Sequence, residues 1–143
     1  MTGQPVLMKL HTVQLVPGEK PEVMELQTQG MLRQFPDRVE LSYVETRLTG
    51  LEGVETTFAV YGEEKVVLTR RGEKLNNRMV FVLGEKNDSL YDVGFGALMI
   101  SVSATQIRLD LSRGEFRVEY TVEVEHSYMG TNTYFVSFRK IEN

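Results

Sequence analysis

Glu45 is the polar residue of this sequence whose position asks most of its surroundings. Counting every second residue places it on one face with Val39, Leu41 and Tyr43. A carboxylate on an apolar face must find hydrogen-bond donors, shift its pKa or reach the mouth of the fold. Arg71 and Tyr91 are residue types that could pair with it, which makes Tyr43, Glu45, Arg71 and Tyr91 the candidate ligand-binding set. Two readings of the set stand side by side. One is a buried or rim salt bridge that fixes strand register, the other a cluster that orients a ligand. The alternation leaves open which of Arg70 and Arg71 faces inward.

Other residues that could do chemistry fall short of a site. The two histidines, His11 and His126, lack a second histidine at ligand spacing, and there is no cysteine, so no metal is expected. Alternation puts His126 on the inward face with Val124, as a core or barrel-rim histidine. Glu115, Glu119, Glu123 and Glu125 form an acidic row, but same-face neighbours on a strand lie about 7 Å apart, too far for one small cation to be held by all. The row reads as a solvated outer face. Gly94-Phe95-Gly96 opens like a dinucleotide fingerprint, yet Met99 stands where the third glycine belongs and a strand follows where a helix must begin. It reads as a turn or bulge, and no cofactor is expected.

These residues are carried by strands. The segment from Phe116 to Val124 alternates Phe116, Val118, Tyr120, Val122 and Val124 against Glu115, Arg117, Glu119, Thr121 and Glu123, the period of a strand with one buried face. The same reading places strands near 6–16, 38–48, 54–61, 64–71, 78–83, 88–93, 97–111 and 131–141, and assigns 21–34 to a further strand because Gln27 and Gly30 interrupt any helical stripe. Turns are expected at Pro17-Gly18, Gly50 with Gly53, Gly62, Gly72, Asn76-Asn77, Gly84 with Asn87-Asp88, Arg113-Gly114 and Gly130. Between 97 and 111 the apolar phase shifts, from Leu98, Ile100, Val102 and Ala104 to Ile107, Leu109 and Leu111, which a bulge near Thr105 would produce. Long bent strands and tight turns predict an all-β antiparallel barrel over residues 1–143, read as one domain.

Composition narrows the partners. Sixteen Lys and Arg against twenty Asp and Glu give a net charge of -4, which disfavours nucleic acid. Lys65, Arg70, Arg71 and Lys74 form only a small basic cluster, read as solvated strand and turn residues. No apolar run approaches the roughly 18 residues of a membrane-spanning helix, and residues 1–10 do not resemble a secretory signal, so the expectation is a cytoplasmic protein away from the membrane. Large residues on both faces of 78–83 and 134–138 suggest self-association, as in a homodimer.

The series Gly30, Tyr43-Val44-Glu45, Gly53 with Thr56-Thr57, Arg71-Gly72, Met79-Val80-Phe81, Tyr91 with Gly94 and Gly96, then Gly114 with Tyr120 resembles the YwiB-like bacterial proteins over nearly the whole chain. Two positions depart from that pattern. Tyr91-Asp92-Val93 stands where the family has Tyr-x-Thr, and Ser103 or Ala104 fills a later threonine position. The resemblance implies a calycin-like (lipocalin-related) β-barrel of about 8–10 strands, cytoplasmic and bacterial, with no established activity. On that fold the leading expectation is a non-enzymatic barrel binding a small, partly apolar ligand in its interior. The alternative is a solid-cored interaction or structural barrel that self-associates, and the third reading is an acid-base enzyme using Glu45.

Overall fold

A computed structural model describes residues 3–73, 75–92 and 96–141. Period-two alternation becomes ten antiparallel strands: β1 (Gln4–Leu15), β2 (Glu22–Gln34), β3 (Val39–Val44), β4 (Glu55–Tyr61), β5 (Lys65–Arg71), β6 (Asn76–Val82), β7 (Lys86–Asp92), β8 (Ala97–Asp110), β9 (Glu115–Val124) and β10 (Ser127–Lys140). Each strand pairs with its sequence neighbour, and β1 pairs with β10 through ten residue pairs from Val6↔Lys140 to Leu15↔Thr131, which closes the barrel. Closure removes the open edges that a sheet this long would otherwise expose.

The inward residues pack as expected for a small barrel, with side chains filling the lumen. Val6, Met8 and Leu10 of β1, Phe58 of β4, Leu68 of β5, Phe81 of β6, Phe116, Val118 and Tyr120 of β9, and Val136 of β10 are all buried in one cluster. Phe58 meets the edge of Phe116 at 5.3 Å between ring centres, and Phe81 lies 4.5 Å from Tyr120. These contacts fill the middle of the barrel with rings, each pair adding about 0.5–1.5 kcal/mol beyond its buried area.

The shift of phase in β8 is a bulge: its pairing with β9 slips between Ala104 and Gln106, leaving Thr105 exposed. A second irregularity lies between Tyr128 and Gly130 in β10. The β6–β7 junction is the weak rung of the wall, because its ladder pairs only Asn76 with Asp92 among the described residues. Beyond that rung β6 passes to β8, where Gly84 N–H donates to the Ala104 carbonyl (3.2 Å) beside a Leu83↔Ala104 bridge.

Several local expectations are corrected. The strand expected through residue 48 ends at Val44, and Arg47–Thr49 forms a 3-10 turn because the Thr46 hydroxyl accepts from the Leu48 amide and Gly50 supplies a left-handed C-cap. Asn76 and Asn77 belong to β6 and not to a turn; the reversal comes earlier, where Gly72 N–H bonds to the Leu75 carbonyl. Asn87 and Asp88 likewise lie within β7. His126 does not face the core, since β9 stops at Val124 and Glu125 and His126 take positive φ values (48° and 68°) as the exposed two-residue turn into β10. Of the acidic row, Glu123 reaches across to Lys86 (2.9 Å) and Glu125 accepts the Met99 amide (2.8 Å). Lys74, Gly94 and Phe95, and with the last two the reading of that segment as a turn, lie outside the described residues. Among the described residues no helix is long and apolar enough to cross a membrane.

Candidate functional site

Glu45 sits at the step where β3 gives way to the loop toward β4. Its amide donates to the Val54 carbonyl (2.8 Å) and its carbonyl accepts from the Gly53 amide (3.0 Å). That backbone pair extends the β3–β4 register, Tyr43 against Thr56 and Val44 against Glu55, by one more step. Alternation therefore survives to residue 45 and turns the carboxylate inward, where the residue is 3% exposed.

The expected need for partners is met from three strands, β3, β4 and β5. Glu45 Oε2 accepts from Thr56 Oγ1 (2.6 Å) and from the Tyr43 hydroxyl (3.1 Å). Arg70 Nε lies 4.0 Å from the same oxygen, near enough for charge attraction and too far for a hydrogen bond. The guanidinium is fixed from its other end, where Nη2 donates to the Tyr134 hydroxyl (2.7 Å). Tyr134 in turn stacks on Tyr120 at 6.2 Å, and Asn132 Nδ2 donates to the Tyr120 hydroxyl (3.4 Å). The result is a polar belt on β3, β4, β5, β9 and β10, set against the aromatic middle of the barrel.

Burial shapes the electrostatics of this belt. Desolvation, followed by the charge of Glu45, holds the Tyr43 hydroxyl far above the ordinary tyrosine value, and desolvation does the same to Tyr120. Both therefore stay neutral, Tyr43 donating to Glu45 and Tyr120 accepting from Asn132. Two buried atoms of the belt have no hydrogen-bond partner, Glu45 Oε1 and Arg70 Nε. Leaving such groups unpaired costs about 1–3 kcal/mol each, and more for charged groups, so a native site that keeps them calls for a reason.

The four residues singled out in the sequence separate in space. Tyr43 and Glu45 meet as expected. The arginine that meets them is Arg70, whose cross-strand partner is the inward Thr56, whereas Arg71 pairs with Glu55 and is exposed on the outer face. Tyr91 stands half-buried on the wall of a cleft of about 670 Å³ at the barrel mouth, together with Leu51, Gly53, Val54, Gly72 and Leu75. Val54 and Leu75 are buried and make the floor of that cleft, and Val54 is the backbone partner of Glu45. Thr56, Asn132 and Tyr134 escaped the sequence reading. A threonine or asparagine on an inward strand position is a weak signal until the opposite wall of the barrel is known.

The fold and this arrangement bear comparison with known proteins. The ywiB protein from Bacillus subtilis, whose crystal structure is known, superposes on this chain with a TM-score of 0.77 at 25% sequence identity, over 96% of this chain and 94% of that one. No curated protein matches the chain. The model of the family described as "Domain of unknown function (DUF1934)" matches residues 8–135, which takes in all of the polar belt, and the chain belongs to that family.

Proposed function

We propose that this protein is a non-enzymatic, calycin-like barrel that holds a small, partly apolar ligand at its mouth, with Glu45 and Arg70 as the polar anchor. The observation that carries this reading is the orphaned Glu45 Oε1, buried behind the 670 Å³ cleft, whose lining includes Val54, the backbone partner of Glu45. The volume is within the range of small-molecule sites, roughly 300–1,000 Å³, and apolar walls with a few convergent polar groups are their usual lining. In this reading Tyr91 flanks the ligand, Tyr43 and Thr56 hold the carboxylate in place, and Arg70 takes the part expected of Arg71. The packed rings below confine the ligand to the mouth.

Native mass spectrometry of the protein taken from a bacterial cytosol, compared with the same sample denatured, tests it. A stoichiometric extra mass that disappears on denaturation and is lost in Glu45→Ala supports the reading. A clean apo mass, with no cleft ligand recovered by small-molecule extraction of the same sample, overturns it.

A second reading rests on the outer face of β1, β2 and β10, where Leu15, Val23 and Phe135 are exposed. An apolar surface of this kind favours self-association. A concentration-dependent dimer in sedimentation velocity that Phe135→Glu dissociates is the expected result, and a monomer at all concentrations removes it.

A further inference from the structure

Strand pairing arranges the outer face of β2, β1, β10, β9 and β8 in rows that cross the barrel wall, and two adjacent rows carry charge in opposite senses. In one, Gln27, Lys9, Ser137, Glu115 and Asp110 stand side by side. In the next stand Glu25, His11, Phe135, Arg117 and Arg108. The first row is basic on the β1 side and acidic on β9 and β8. In the second the signs are exchanged, with Glu25 on β2 and two arginines on β9 and β8.

Within one chain these charges are poorly matched. Arg117 and Arg108 are directly opposed on neighbouring strands, a like-charge pair of the kind that weakens a sheet. Glu115 and Glu119 flank Arg117 along β9 about 7 Å away, but among the described residues neither arginine forms an ion pair. Glu119 Oε2 instead accepts from the Thr105 hydroxyl (3.0 Å), toward β8. Glu25 has a side chain 77% exposed and meets only His11 Nδ1 (3.0 Å). Between the charged halves Phe135 is 41% exposed, beside a cleft of about 460 Å³ that Lys9, His11, Glu25 and Gln27 line from the other side.

A face of this kind is complementary to itself. A two-fold axis laid along the line between β1 and β10 sets β1 of one copy against β10 of the other and β2 against β9, because positions equally far from the axis on its two sides come together. Glu25 then faces the partner's Arg117, His11 faces the partner's Phe135, and Lys9 faces the partner's Ser137 with Glu115 beside it. Each contact occurs twice. The curvature of the barrel suits the arrangement. Val13 and Thr133, a directly paired couple of small residues, lie next to the axis where two convex walls touch, and the long side chains of Glu25 and Arg117 lie further out, where the walls diverge and a gap must be spanned.

We infer that this protein forms a two-fold dimer through the outer face of β1 and β10, with Glu25 of each copy paired to Arg117 of the other and Phe135 of each seated in the cleft beside the other's His11. The inference rests on the self-association reading above and adds to it the symmetry and the residue pairs.

Sedimentation velocity of the wild type, of Glu25→Arg and of Arg117→Glu, the two variants run singly and as an equimolar mixture, is the test. Each substitution alone sets like charges together at both contacts and is expected to weaken the dimer roughly tenfold or more. The mixture is expected to recover it, since Glu25→Arg then brings a base to each of the two acids on Arg117→Glu, and native mass spectrometry identifies the product as a heterodimer. Thermal melts show whether Arg117→Glu, at a half-buried position, folds; should it not, the exposed Glu25→Arg decides alone, by weakening the dimer or leaving it unchanged. A wild-type dimer that Phe135→Glu dissociates but Glu25→Arg leaves intact, or folded variants that do not recover on mixing, overturn the pairing and keep the self-association reading. A wild-type monomer at all concentrations overturns both.

Discussion

Arg70 Nε stands 4.0 Å from Glu45 Oε2 inside the barrel, an ion pair whose members are each held by other residues and not by a bond to one another. Thr56 and Tyr43 hold the carboxylate, and Tyr134 holds the guanidinium. The pair is thus a junction between the β3–β4 side of the wall and the β10 side, and its removal should be felt across the lumen.

Glu45→Ala is expected to cost about 3–5 kcal/mol, because it strands the buried Arg70 charge. Replacing both members by apolar residues, Glu45→Leu with Arg70→Met, should recover much of that loss. Urea unfolding of the two variants gives the comparison. A single variant within about 1 kcal/mol of wild type would show that the charges are already compensated elsewhere.

Alkaline pH should weaken the fold through its buried tyrosines. Burial raises Tyr43, as does the Glu45 charge, and burial raises Tyr120. Unfolded tyrosine titrates near about 10. Above that pH the unfolded chain sheds protons that the folded chain retains, so stability that is complete below about pH 10 falls with rising pH, by up to ~1.4 kcal/mol per unit for each tyrosine. Urea midpoints measured between about pH 9 and pH 11 should decline, and more shallowly in Tyr43→Phe. A flat profile would contradict the neutral, buried state of both hydroxyls.

Gly114 and Gly130 should not tolerate a side chain. Both have positive φ (72° and 149°), and a Cβ would run into the Phe138 carbonyl at the first and the Leu15 carbonyl at the second. Strained backbone alone costs of order 1–3 kcal/mol, and here the obstruction is backbone that cannot turn aside. Thermal melts of Gly114→Ala and Gly130→Ala should both fall well below wild type, whereas Gly18→Ala, at a turn with open space around it, should fall less.

Hydrogen exchange should find the barrel weakest at its thin rung. With one β6–β7 pair against ten between β1 and β10, the amides of β7 should exchange faster than those of β1 and β10. Asn77→Ala, which removes the side-chain bond to the Leu90 carbonyl, should speed β7 exchange further while leaving β1 unchanged. Uniform protection around the barrel would show that the seam is closed by other means.

Local pattern carried much of this structure. The alternation of Phe116 to Val124 is the buried face of β9, the phase change near Thr105 is a bulge, and Glu45 does face inward, because strand geometry ties side-chain direction to residue parity wherever the strand is unbroken. Parity lost its meaning where the strand ended. His126 and Glu125 continue the alternating pattern on paper but occupy a turn, and Asn76 and Asn77 have turn chemistry yet extend β6. The choice between Arg70 and Arg71 was beyond local reading for another reason: Val66, Val67 and Leu68 are all buried, so β5 shows no clean inside and outside. The partners of Glu45 lie on strands up to 89 positions away, as Tyr134 does by way of Arg70. Barrel closure decides which inward residues meet across the lumen, through the register of ten strands taken together, and that is a property of the tertiary structure alone.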